Sequence, residues 1–173
     1  MIDALLRIAE NRWFRLVLVG MVLLGVQTTI LNDMRPFGVS LQVMVLLAAA
    51  SGLARGSETG AVAGFVVGLL YDLVLTTPLG LGAAVFAVVG YASGLANTFV
   101  HAPTWWTRML MAAAASALGM FLMPLALEVT GTEGALTGQV FLIALVVAVF
   151  NALATPPAHW VCRWALSDRT RVR

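Results

Sequence analysis

Six apolar segments separated by short polar breaks account for almost the whole chain, and they constrain its fold more than any other feature. A bilayer span needs about 20 mostly apolar residues, with about 17–25 the usual range. Only 10% of the residues are charged and 61% are hydrophobic. Because every backbone amide in hydrocarbon must be satisfied within the protein, we predict an all-α, polytopic integral membrane protein of about six transmembrane helices. The predicted spans are Phe14–Leu31, Val39–Leu53, Gly60–Leu75, Leu79–Val100, Met109–Leu127 and Gly138–Val161.

The arginines predict how these spans are oriented. Six spans place both termini on one side, and the other side carries Arg35 alone, while Arg15 lies at the edge of the first span. Cytoplasmic loops are enriched in basic residues, so we expect both termini in the cytoplasm, and the tryptophans agree because they fall at the same predicted ends. The arginines on the terminal side are Arg7, Arg12, Arg55, Arg108, Arg163, Arg169, Arg171 and Arg173.

The same pattern predicts a simple domain organisation. Residues 1–13 form a cytoplasmic segment, either an amphipathic helix lying in the interface or an irregular flank of the first span. Residues 14–161 form a single six-helix transmembrane domain, and residues 162–173 a short basic cytoplasmic tail.

Composition and spacing exclude several classes of function. The net charge of +2 is too small to indicate nucleic-acid binding, and a lone Cys162 allows no intrachain disulfide. No metal-ligand spacing or nucleophile arrangement accompanies His101 and His159. We therefore expect no enzyme activity, no catalytic residue, no metal and no cofactor.

Asp72 is the only acid inside an otherwise uncharged apolar segment. A carboxylate at the centre of a span costs about 2.5–3.5 kcal/mol on insertion scales, so it needs groups that solvate it. Thr76 and the free amides at the start of the next helix are candidates, while Thr77 and Pro78 suit the N-cap and first position of that helix. Two interpretations remain open: Asp72, Thr76, Thr77, Pro78 and Gly80 form a structural corner, or they belong to a partner-binding surface.

Glycines spaced by four residues precede Asp72 and predict a small-residue helix face. Gly60, Gly64 and Gly68 fall along one side of a helix, which lets another backbone approach closely. The following span offers a matching face in Gly82, Gly90 and Gly94. The two faces indicate close helix packing and a groove suited to a transmembrane helix.

These residues give the chain its resemblance to a known family. The run Gly68-Leu69-Leu70-Tyr71-Asp72 with Thr77-Pro78-Leu79-Gly80, the preceding glycines and the six-span layout resemble MreD, the rod-shape-determining family. One departure is Leu41-Gln42, where the family often has Pro-Asp. The resemblance implies a non-enzymatic component of bacterial cell elongation in the cytoplasmic membrane. It also implies binding to the bitopic protein MreC and contact, direct or indirect, with the glycosyltransferase and penicillin-binding transpeptidase of peptidoglycan synthesis.

A substrate-binding S component of an energy-coupling-factor vitamin transporter is the main alternative. Such bundles are similar in span count and glycine content, and Ala144, Ala148 and Ala152 offer a small-residue docking face. The short outer loops, which lack a cluster of ligand-binding groups, argue against it. Gene neighbourhood discriminates the two, because a coiled-coil bitopic protein accompanies one and an ATPase operon the other.

Overall fold

The described part of the chain is built from six helices. The structure, a computed structural model, describes residues 11–34, 38–75, 77–100, 103–131, 134 and 137–167, and no strand occurs in these ranges. The prediction of an all-α protein with six helices is confirmed, and residues 1–10, Thr76 and residues 168–173 lie outside the described part. The helices are α1 (Arg12–Val26, extended by a π-helical turn, Gln27–Leu31), α2 (Val43–Arg55), α3 (Ser57–Val74), α4 (Leu81–Phe99), α5 (Trp105–Val129) and α6 (Val140–Ala165).

Five of these helices are long and apolar enough to cross a membrane, and α2 is shorter. The predicted second span began at Val39, but α2 begins only at Val43, after a buried non-helical segment that contains Leu41. At the other end of the chain, α6 continues to Ala165, beyond the predicted end of the span at Val161. The described bundle therefore has five helices of spanning length arranged about one short helix.

Helix α2 lies at the centre of the bundle and contacts each of the other five helices. Its residues from Met44 to Leu53 are all buried, and its apolar side chains lie on every side rather than along one stripe. A helix that is hydrophobic all round is stable only when it is surrounded, which explains its position.

Polar side chains from neighbouring helices hold the beginning of α2. The π-helical turn of α1 carries Gln27, whose Oε1 accepts from the amide of Met44 at 3.0 Å. The side chain of Asn151 in α6 donates to the carbonyl of Gln42 at 3.1 Å and to the hydroxyl of Ser116 in α5 at 2.9 Å. Because hydrocarbon offers no replacement partners, these bonds keep the non-helical segment inside the protein.

Candidate functional site

Asp72 lies in the last turn of α3, is only 4% exposed, and accepts four hydrogen bonds from its own chain. Its Oδ1 accepts from the Thr77 hydroxyl at 2.9 Å and from the Gly82 amide at 3.0 Å. Its Oδ2 accepts from the amides of Gly80 at 2.9 Å and Ala83 at 3.1 Å. The carboxylate is thus solvated by protein donors, without a cation among them.

The carboxylate supplies the N-terminal cap of α4 from a different helix. The first amides of a helix have no partner within it. In α4, the amide of Leu81 donates to the carbonyl of Pro78, and the amide of Ala84 donates to that of Gly80. Asp72 accepts from the two amides in between, so all four are satisfied, and its negative charge lies at the positive end of the helix dipole.

This arrangement corrects the predicted start of the fourth helix. Thr77 and Pro78 were expected to be its N-cap and first residue, but Gly80 is the residue before α4. Gly80 has a φ of +96°, a left-handed conformation that glycine adopts without strain. Thr77 instead donates to Asp72. The local sequence predicts a helix start at Thr77 and Pro78. In the fold α4 starts later, at Leu81, where Asp72 accepts hydrogen bonds from the amides of its first turn.

The glycines of α3 and α4 face one another across a very close helix contact. A methyl group added at any of these positions would overlap the backbone of the facing helix, or the Asp72 carboxylate in the case of Gly82. This face is filled by α4, so the predicted groove for another helix is not open here. The close approaches are Gly60 to Gly90, Gly64 to Phe86, Gly68 to Gly82 and Gly94 to Ser57.

Two residues of this contact were missed by sequence analysis. Gly52 of α2 packs against Gly90 and Ser93, and the Ser93 hydroxyl donates to the Ala49 carbonyl at 2.8 Å. The signal for Gly52 was present, because the four-residue glycine series continues backwards through Gly56. The contact therefore joins three helices rather than two.

The turn between α3 and α4, which we call the corner, exposes an apolar surface on the side that faces away from the bundle. Leu79, in the turn before α4, is 72% exposed, and Leu73 and Val74 at the end of α3 are also exposed. Pro78 lies beside them and is exposed too. Because Asp72 fixes the turn from within, this apolar corner surface (Leu73, Val74, Pro78 and Leu79) has a defined shape.

A small cavity lies inside the bundle, between α3, α4, α5 and α6 and next to the corner. Its volume is about 160 Å³, and Tyr71, Phe86 and Gln42 line it together with aliphatic side chains. Ligand pockets usually have volumes of about 300–1,000 Å³. The cavity is therefore too small for a vitamin-sized ligand in this conformation.

The described residues do not assemble a metal site. They include no group of three or more histidine, cysteine or carboxylate side chains that could hold a metal ion. The hydrogen-bond capacity of Asp72 is taken up by four donors of the chain itself. What the arrangement does is fix two helices at a set distance and angle.

Five helices long and apolar enough to cross a membrane, packed in one bundle with a shorter apolar helix, define a multi-pass membrane protein. The family model described as rod shape-determining protein MreD matches residues 8–163. The chain belongs to the MreD family, and its role therefore lies in rod-shape determination. Searches of curated proteins and of solved structures give no match.

Proposed function

We propose that this chain is a non-enzymatic membrane scaffold of the cell-elongation machinery, and that it acts by binding an MreC-like bitopic protein. Membership of the rod-shape-determining family supports a role in cell elongation, but it does not by itself identify the partner. The observation that carries the finer proposal is the corner at Asp72, an internally saturated carboxylate that fixes a turn bearing exposed apolar residues. A buried acid of this kind stabilises a binding surface without itself touching the partner.

The proposed contact surface continues from the apolar corner surface along α3. Val62, Phe65 and Leu73 are about half exposed or more and recur at helical spacing, so they form one stripe on the outside of the bundle. A single transmembrane helix packed against this stripe places its outer end beside Leu79. Lipid covers the same stripe in the absence of a partner.

The proposed location is the bacterial cytoplasmic membrane, with both termini in the cytoplasm. The described arginines Arg12, Arg15, Arg55, Arg108 and Arg163 all lie towards one end of the bundle by their helix positions, as the positive-inside rule requires for a cytoplasmic face. The Asp72 corner then faces outwards, where the large part of an MreC-like protein lies. The peptidoglycan-synthesising enzymes are reached through that partner.

Two exposed leucines provide a matched test of the proposed surface. Leu79 is 72% exposed in the turn between α3 and α4. Leu110 is 69% exposed near the beginning of α5, at the other end of the bundle. Because lipid or detergent covers the leucine when no partner is bound, its contribution to a helix contact comes from dispersion packing rather than from removal of apolar area from water. We expect Leu79→Ser to lower recovery of the bitopic partner at least tenfold in detergent co-purification, and Leu110→Ser to leave it unchanged. Equal recovery with both variants would refute the surface.

Pull-down with mass spectrometry separates this function from the S-component alternative. A bitopic protein and a penicillin-binding protein among the captured chains support the scaffold, and an ATPase with a coupling subunit supports the transporter. The cavity beside Tyr71 has a volume of about 160 Å³, below the usual range of about 300–1,000 Å³ for ligand pockets, and this supports the scaffold over a vitamin site at that position.

A further inference from the structure

A basic pocket lies at the end of the bundle opposite to the Asp72 corner. It has a volume of about 680 Å³ and lies where α2, α4, α5 and α6 meet. Three arginines line it, one each from the end of α2, the beginning of α5 and the end of α6, namely Arg55, Arg108 and Arg163. His159, Asn97 and Ser167 also contribute polar groups to its wall.

The charges in this basic pocket are unbalanced within the described part of the chain. Arg55 donates to the carbonyl of Arg163 at 3.2 Å, and no carboxylate of the described residues pairs with any of the three guanidinium groups. His159 is 9% exposed, and its Nδ1 lacks a hydrogen-bond partner, as does Oδ1 of Asn97. Three like charges around a cavity repel one another, and an anion bound there would relieve the repulsion.

An apolar groove adjoins the basic pocket at Trp164, which lines both. The groove runs between α1, α2 and α6, has a volume of about 470 Å³, and is lined by apolar side chains from Ala154 to Trp164 along α6. Arg15 holds the junction, because it donates to the carbonyl of Trp164 at 3.1 Å and its guanidinium lies 5.6 Å from the centre of that ring. At 1.5 Å per residue, the groove is about 15 Å long, half of a hydrocarbon core of about 30 Å.

We propose that the basic pocket and the apolar groove together bind one anionic phospholipid of the adjacent leaflet. The phosphate lies among Arg55, Arg108 and Arg163, and one acyl chain lies in the groove beside Trp164. Guanidinium groups bind phosphate through two parallel hydrogen bonds, and basic pockets between helices on the cytoplasmic side bind anionic headgroups. The groove length favours a phospholipid over a polyprenyl phosphate, because a polyprenyl chain is much longer than one leaflet.

Titration of the purified full chain with short-chain phosphatidylglycerol, read by native mass spectrometry, tests the headgroup site. We expect the double variant Arg108→Gln/Arg163→Gln to bind about 30-fold more weakly, from the usual contribution of two arginines near a membrane surface. Arg12→Gln removes one positive charge outside the pocket, is expected to leave binding unchanged, and serves as the control. Phosphatidylethanolamine is expected to bind at least tenfold more weakly than phosphatidylglycerol. Equal binding of the two lipids, or no change in the double variant, would overturn the proposal.

Two tryptophan variants of α1, one inside the groove and one beside it, test the acyl-chain site separately. They remain informative if the arginine double variant does not fold. Val22 lines the groove and is 57% exposed, whereas its neighbour Met21 is 61% exposed and does not line it. We expect Val22→Trp to weaken phosphatidylglycerol binding at least tenfold and Met21→Trp to leave it unchanged. Equal binding by the two variants would refute the chain site. Tighter binding of undecaprenyl phosphate than of phosphatidylglycerol would refute the phospholipid as occupant.

Discussion

Replacing Asp72 by alanine tests directly how the corner is held together. The change removes both acceptor oxygens and leaves the amides of Gly82 and Ala83 buried without partners. An unsatisfied buried donor costs about 1–3 kcal/mol, so the two amides together predict a loss of about 2–6 kcal/mol in the free energy of unfolding. The donors of Thr77 and Gly80 are partly exposed and reach water or headgroups, and they add little.

Asp72→Asn separates the charge of the carboxylate from its shape. Asparagine keeps one acceptor oxygen, but its NH₂ group faces amides that also donate. It also removes a negative charge from the beginning of α4, which is worth about 0.3–1 kcal/mol at a helix N-terminus. We therefore expect the stability of Asp72→Asn to lie between those of the wild type and Asp72→Ala.

Unfolding by sodium dodecyl sulfate in mixed micelles, followed by tryptophan fluorescence, measures these differences. Hydrogen–deuterium exchange adds a local measurement, because the amides of Gly82 and Ala83 are expected to exchange faster in Asp72→Ala. Asp33→Ala is the control, since Asp33 is an exposed acid after α1. A loss below about 1 kcal/mol in Asp72→Ala, or equal losses in both alanine variants, would refute the capping explanation.

Three further predictions concern packing, the α2 cap and orientation. Gly64→Ala places a methyl group against the facing carbonyl of Phe86 in α4 and is expected to lower the free energy of unfolding by about 1–3 kcal/mol. Gly25→Ala is the control, because a methyl group there meets open space and is expected not to destabilise the protein. Similar losses in both variants would contradict the close contact. Gln27→Leu leaves the amide of Met44, the second residue of α2, unsatisfied and is expected to cost about 1–3 kcal/mol in the same unfolding assay. An unchanged midpoint would exclude the cap. Thr130 and Thr104 are exposed at opposite ends of α5. In cells, Thr130→Cys is expected to react with an impermeant maleimide, because it faces outwards in the proposed orientation, and Thr104→Cys is expected not to react. The reverse labelling pattern would show that the orientation is the opposite one.

The six helices were predictable because each apolar segment is a local property of the chain. Their ends were less predictable where distant residues decide them. The sequence placed the start of the fourth helix at Thr77 and Pro78 from local propensity, but Asp72 caps α4 at Gly82 and Ala83 from another helix. The lone acid predicted a need for solvating groups and left Thr76 and the free amides of the next helix as candidates. The amides of Gly82 and Ala83 do bind it, and Thr76 lies outside the described residues.

The same limit explains which parts of the sites were not found in the sequence. The glycine series indicated a close helix contact, but only the fold determines that α4 occupies it. Arg55, Arg108 and Arg163 lie far apart in the chain, and no spacing rule connects the ends of three helices. Such a pocket becomes visible only when the bundle is assembled.

The shortness of α2 has a consequence for how the protein is made. Its 13 residues extend about 20 Å, which is about 10 Å less than a hydrocarbon core. While the chain has been synthesised only as far as α2, α1 is the one described helix that can contact it, and its contacts with α3, α4, α5 and α6 do not yet exist. We therefore expect α2 to reach its final depth in the bilayer only after α6 has been synthesised, because only then can all the helices that enclose α2 surround it.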